Sequence, residues 1–83
     1  MRFSEWKALA MHALMRLYEK YKDDRKIASD LNFLILKLKD LRTRDLSSFL
    51  FYVHQVRDAH KLEELREIIP SVEELKEMLQ EGE

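Results

Sequence analysis

The stretch from Ile27 to Leu41 reads IASDLNFLILKLKDL, and its pattern decides the fold class of the chain. Its apolar residues recur at alternating spacings of four and three positions, in a seam made of Ile27, Leu31, Leu34, Leu38 and Leu41. A heptad-like seam of this kind is typical of an α-helix that packs lengthwise against other helices. The pattern predicts a helix from about Arg25 to Leu41, with Asp23 or Asp24 as its N-cap.

Helical spacing also occurs before this stretch. Ser4 is the predicted N-cap of a first helix, and Glu5 in the first turn complements the helix dipole. The apolar residues that follow recur at the i, i+3, i+4, i+7 spacing of one helical face. The predicted core residues of this helix are Trp6, Leu9, Ala10, Ala13, Leu14, Leu17 and Tyr21.

Two more helices are predicted after the seam. Thr43 is the expected cap of the third, which should bend or split near Asp58. Pro70 ends the segment before the fourth helix, and Ser71 with Glu74 has the spacing of a capping box. The predicted core stripes of the two helices are Leu46, Phe49, Leu50, Val53 and Val56, and then Val72, Leu75, Met78 and Leu79.

Composition agrees with an all-α protein. The 83 residues include one Gly and one Pro, which are too few for the turns of a β-sandwich or barrel. We therefore predict an all-α fold: a small antiparallel bundle of four helices, or five if the third is split. Residues 1–79 should form this single domain, and residues 80–83 a frayed acidic tail.

Composition also suggests where the protein works. No apolar run approaches the roughly 20 residues of a membrane span, and residues 1–20 lack the layout of a signal peptide. We expect no membrane partner and a cytoplasmic location. Glu and Lys are abundant, whereas Asn and Gln together number three and Cys is absent, a bias that indicates a thermophilic source.

The residues able to carry chemistry are few. His54 and Asp58 lie four positions apart on one predicted helical face, and His60 follows. Such residues can hold a metal or act as a base, but an exposed hydrogen-bonded pair is the interpretation we favour. The glycine-rich phosphate loop is excluded because Gly82 is the only glycine. We predict no catalytic residue, cofactor or metal, and hence a protein that is not an enzyme.

Clustered basic residues suggest one alternative function. Residues 1–61 carry 13 basic and 8 acidic residues, and residues 62–83 carry 2 and 8, so the net charges are +5 and −6. Phosphate binding requires clustered Lys and Arg. The alternative is thus a nucleic-acid-associated regulator that uses the segment Lys20–Lys26 or a candidate anion-binding set of Lys37, Lys39, Arg42 and Arg44.

The segment KIASDLN, residues 26–32, resembles the first helix and turn of a helix-turn-helix DNA reader. Asn32 would occupy the turn, since Asn tolerates the left-handed conformation. The resemblance implies a recognition helix immediately afterwards, where polar side chains face the major groove. The sequence departs from the family here, because residues 33–36 read FLIL and cannot read base edges.

Apolar residues outside the core stripes favour a different function. Phe33 and Leu36 lie off the seam of the second helix, and Phe51 and Tyr52 lie off the stripe of the third. Exposed apolar patches mark interaction sites, and a second copy is the simplest partner. We therefore predict a small non-enzymatic protein–protein interaction or assembly module, a homodimer whose candidate interface is Phe33, Leu36, Phe51 and Tyr52.

Overall fold

The fold consists of helices joined by short connections. A computed structural model describes residues 1–81, and no strand occurs within this range. The four α-helices are α1 (Phe3–Tyr21), α2 (Arg25–Lys39), α3 (Leu46–His60) and α4 (Val72–Glu81), with 3₁₀ segments at Thr43–Asp45 and Glu63–Ile68. The radius of gyration of 12.3 Å matches the value of about 12 Å expected for a compact chain of this length. The prediction of a small all-α bundle is confirmed.

Helices α1 and α2 form an antiparallel hairpin. The Asp24 carboxylate caps α2 by accepting hydrogen bonds from the backbone N–H groups of Lys26 and Ile27, at 3.1 and 3.2 Å. At the other end of the hairpin, Lys7 Nζ donates to the Leu41 carbonyl over 3.1 Å. The start of α1 therefore lies beside the end of α2, and the predicted Asp24 cap is confirmed.

The start of α1 differs from the prediction. Arg2 is the N-cap, and Ser4 lies within the first helical turn. The reason is Phe3, which is buried and stacks on Trp6 with the ring centroids 5.9 Å apart. Extending the helix to Phe3 places this apolar ring in the core. Leu9 is 60% exposed, so its assignment to the core was also wrong.

Helix α3 carries the predicted core stripe, and all five of its members are buried. The segment begins differently, because Thr43 opens a 3₁₀ turn and α3 itself starts at Leu46. The helix ends at His60, just beyond the predicted break at Asp58. Lys61 terminates it in the left-handed region, with φ 55° and ψ 41°, and its N–H donates to the Arg57 carbonyl.

One buried side chain joins α1 to the later elements. Trp6 Nε1 donates a buried hydrogen bond of 2.7 Å to the Ile68 carbonyl in the second 3₁₀ segment. The Trp6 ring also meets Phe49 of α3 edge to face, with the centroids 6.1 Å apart. This single tryptophan thus anchors three elements of the core.

The last helix begins with the predicted capping box. Glu74 accepts from the Ser71 N–H over 3.0 Å, and Ser71 Oγ accepts from the Glu74 N–H over 3.1 Å. Met78 is buried in the core, and Leu75 is partly buried against the core cluster. Val72 and Leu79 are exposed, contrary to prediction. Residues 80 and 81 of the predicted tail belong to α4, and residues 82 and 83 lie outside the described range.

Candidate interaction surface

The four candidate interface residues lie on the outer side of α2 and α3. In the single chain, Phe33 is 39% exposed, Leu36 59%, Phe51 59% and Tyr52 38%. Exposure of a single apolar side chain is ordinary, but these four residues belong to two helices that pack directly against each other. We call this set, Phe33, Leu36, Phe51 and Tyr52, the α2–α3 patch.

Ring contacts make the patch continuous across the two helices. The rings of Phe33 and Tyr52 meet edge to face at 5.4 Å, with an interplanar angle of 89°. Phe51 contacts the same tyrosine ring at 6.0 Å and 63°. Lys37 Nζ lies 5.6 Å from the centre of the Phe33 ring, a cation–π geometry at the edge of the patch. Tyr52 therefore links an aromatic surface on α2 with one on α3.

The helical period explains why these residues face outward. Helix α2 turns Leu31, Leu34 and Leu38 into the core, and α3 does the same with its own stripe. Residues 33 and 36 of α2, like 51 and 52 of α3, fall on the remaining sides. Helix α1 packs on α2, the second 3₁₀ segment packs on α1 and α3, and α4 packs on α1 and the first 3₁₀ turn. The four residues stay exposed after this packing, so helices α1 and α4 do not cover them.

The size of the patch can be estimated from the exposed fractions. A large aromatic side chain presents about 150–250 Å2, so the four residues together leave roughly 400 Å2 of apolar surface exposed. The largest apolar patch on a typical monomer measures about 300–600 Å2 and is often functional. The α2–α3 patch falls within this range.

An open cleft adjoins the patch where α2 ends and α3 begins. Its volume is about 490 Å3, and buried Phe49 and Leu41 contribute to its lining. Leu36 and Tyr52 of the patch also line it. The polar lining residues are Lys37, Asp40, Asp45 and Ser48. Sequence reasoning missed this cleft, and the break at residues 42–44 was the signal that α2 and α3 separate there.

The candidate anion-binding residues lie at this same end of the molecule, among acidic neighbours. Lys37 extends over Phe33, and Arg44 Nε approaches the Asp45 carboxylate at 4.0 Å. Lys39 and Arg42 are exposed and line a shallow groove with Asp40. The surface is therefore of mixed charge rather than a continuous basic face.

Two of the four basic residues in the segment Lys20–Lys26 pair with carboxylates. Lys20 Nζ lies 2.9 Å from Glu64 Oε2, and Lys22 Nζ lies 3.0 Å from Glu19 Oε2. The Lys20 hydrogen bond, with further bonds from the Glu64 backbone and the Tyr21 hydroxyl, lowers the pKa of Glu64 to about 2. Glu64 belongs to the acidic segment 62–83, and Lys20 belongs to the basic segment 1–61. Part of the opposite charge of the two segments is therefore paired within the chain.

The helix-turn-helix interpretation does not agree with the fold. Asn32 lies inside α2, which continues without a turn from Arg25 to Lys39. The residues after it belong to the same helix, so no separate recognition helix starts there. The seven-residue resemblance reflects the composition of one amphipathic helix.

The histidines and Asp58 do not form the group that their spacing suggested. Asp58 pairs with Arg57, whose Nη2 lies 3.1 Å from its carboxylate. His60 Nε2 donates to Asp30 Oδ2 of α2 over 2.7 Å, a partner that sequence reasoning missed. This bond links the end of α3 to the first half of α2. Within residues 1–81, no group of three His, Cys, Asp or Glu is placed to hold a metal ion.

Comparisons with protein-family models, curated proteins and solved structures find no match to this chain. No helix among residues 1–81 combines the length and the apolar character needed to cross a membrane.

Proposed function

We propose that this protein is a small non-enzymatic interaction module that self-associates as a two-fold dimer through the α2–α3 patch. The observation that carries the proposal is the continuous set of exposed apolar side chains on two neighbouring helices. In water such a surface lowers its free energy by association. The charged residues at its edge, such as Lys37, resemble the polar rim that surrounds the apolar centre of protein interfaces.

The area of the patch suits the centre of a modest dimer interface. A stable interface buries about 800 Å2 on each partner, so the roughly 400 Å2 of apolar patch would form about half of one. Association costs about 4–15 kcal/mol and orders side chains at the interface, so buried area does not convert directly into affinity. Because the apolar centre is about half the size of a standard interface, we expect micromolar rather than picomolar association.

A matched pair of substitutions tests the proposal. Leu36 and Leu9 have the same side chain, both lie within α-helices, and they are 59% and 60% exposed. Leu9 lies on α1, away from the patch. We expect Leu36→Glu to raise the dissociation constant of the dimer about 100-fold or more, because it places an unpaired carboxylate in the interface. Leu9→Glu should leave dimerisation unchanged.

Sedimentation velocity across a concentration series measures the outcome, with circular dichroism to confirm that both variants stay folded. Unmodified protein that sediments as a monomer at high micromolar concentration would end the proposal. Equal weakening by both variants would also count against it, because the effect would then come from charge alone.

A further inference from the structure

A protruding ring and an open cleft lie next to each other on the α2–α3 surface. Phe51 is 59% exposed, and its contact with the Tyr52 ring at 6.0 Å leaves most of its surface free. Tyr52 also helps to line the cleft. Phe51 itself does not line the cleft of its own chain. Each copy therefore presents an apolar projection and a recess of mixed apolar and polar lining, both next to Tyr52.

We infer that Phe51 of each protomer inserts into the cleft of the other, so that the two copies exchange rings across a two-fold axis. This inference rests on the proposed self-association and specifies its geometry. A two-fold interface uses the same surface on both subunits, so a projection on one copy must meet a recess on the other. A two-fold axis that passes near Tyr52, between Phe51 and the cleft, would place the Phe51 ring of each copy at the cleft of the other.

The lining of the cleft suits an aromatic ring. Exposed Leu36 offers apolar surface in the lining, and Tyr52 offers a ring for edge-to-face contact. The inserted phenylalanine would cover these apolar surfaces without burying a polar group of its own. This chemistry favours a phenylalanine side chain as the occupant, and Phe51 is the most exposed aromatic residue of the described chain.

Charge at the cleft also favours a second copy of the same surface. Lys37 supplies a positive charge to the lining, and Asp40 and Asp45 supply negative charges. When a two-fold axis brings two such surfaces together, the lysine of one copy can face an aspartate of the other, and the reverse pair forms by symmetry. A partner with a uniformly basic surface would repel Lys37, and a partner with a uniformly acidic surface would repel Asp40 and Asp45.

Two substitutions separate the projection from the recess. Phe51→Ala removes the ring and leaves the cleft open. Ser48→Trp fills the cleft and leaves the ring in place, because Ser48 is exposed and lines the cleft. Ser47→Trp is the matched control, since Ser47 is an exposed serine of the same helix that does not line the cleft. We expect the first two changes each to raise the dissociation constant by about 30-fold or more, as truncated interface anchors do, and the control to have little effect.

Mixing the first two variants gives the decisive measurement. Homodimers of Phe51→Ala lack both rings, and homodimers of Ser48→Trp have both clefts filled. A heterodimer keeps one contact, in which Phe51 of the Ser48→Trp chain enters the open cleft of the Phe51→Ala chain. Native mass spectrometry of an equimolar mixture should therefore show heterodimer well above its share in the 1:2:1 ratio of random pairing. Circular dichroism confirms folding, and Ser48→Leu replaces Ser48→Trp if the larger side chain disturbs the helix.

The outcomes distinguish the exchange of rings from the self-association on which it rests. A dimer that is weakened by Leu36→Glu but indifferent to Ser48→Trp would overturn the ring exchange and leave the proposed function standing. A mixture with no preference for the heterodimer would also overturn it. Unmodified protein that stays monomeric would remove both.

Discussion

The carboxylate of Glu64 is expected to make the fold sensitive to acid. It accepts hydrogen bonds from Lys20 Nζ over 2.9 Å and from the Tyr21 hydroxyl over 2.8 Å, which joins the end of α1 to the second 3₁₀ segment. These bonds hold its pKa at about 2, below the ordinary 4.5. The folded state therefore binds a proton less readily than the unfolded state. The resulting stability is present above pH 4.5 and is lost as the pH falls through about 2.

The size of the effect follows from the pKa and from the exposure of the group. A change in pKa from 4.5 to about 2 corresponds to at most roughly 3 kcal/mol of unfolding free energy, at about 1.4 kcal/mol for each unit of pKa. The Glu64 side chain is 34% exposed, so water screens the interaction. Exposed ion pairs contribute about 0–1 kcal/mol, and we expect a contribution of about 1 kcal/mol here.

Urea denaturation of Glu64→Gln and of the unmodified protein measures this contribution. The variant should lose about 1 kcal/mol of unfolding free energy near pH 7, and the difference should shrink towards zero as the pH approaches about 2. Glu67→Gln, an exposed change in the same 3₁₀ segment, serves as the control. A difference between Glu64→Gln and the unmodified protein that is the same at every pH would refute the reasoning, because a charge-dependent effect must titrate.

Two other changes probe separate features. Lys61→Gly should raise the unfolding free energy by about 0.5–1 kcal/mol in thermal denaturation, because glycine adopts the left-handed conformation of Lys61 without strain. Ala59→Gly, inside α3, should instead lower it by about 1 kcal/mol. In gel-shift assays at physiological salt we expect weak or no sequence-specific DNA binding, since α2 contains no turn and aspartates lie among the basic residues. Tight binding to one sequence over random DNA would contradict this expectation.

Short-range chemistry explains which parts of the fold could be predicted. The Asp24 cap and the box of Ser71 with Glu74 depend on residues at most three positions apart. The core stripe of α3 depends on the helical period alone. Such features are encoded within one or two turns of helix, and their outcome changes little with the rest of the chain.

Features that depend on distant contacts could not be predicted in this way. Ser4 has the chemistry of an N-cap, but burial of Phe3 against Trp6 extends the helix to Phe3 and makes Arg2 the N-cap. Leu9 has the spacing of a core residue, but within residues 1–81 no element packs over its side of α1 closely enough to bury it. His60 forms a hydrogen bond with Asp30, thirty positions away, rather than with the nearer Asp58. In each of these cases the outcome depends on how distant parts of the chain pack against one another.

The candidate site shows the same division. The helical positions of the four residues of the α2–α3 patch predict that they lie outside the core stripes. Their exposure agrees with this prediction. The cleft was not readable, because it exists only where the end of α2 separates from the start of α3. Whether two copies meet there stays a prediction of the proposed function.

The arrangement of α2 and α3 allows association to be separated from folding. The hydrogen bond between His60 and Asp30 joins the two helices at one end, and their buried stripes hold them together along the middle. Phe51 and Leu36 contribute little to this packing, because each keeps 59% of its surface in contact with solvent. Substitutions at these two positions should therefore cost little stability in the monomer, since exposed sites usually change it by about 0.5 kcal/mol or less. A loss of dimer without a loss of monomer stability is consequently the result that would identify an interface, whereas concentration-independent unfolding would identify a core.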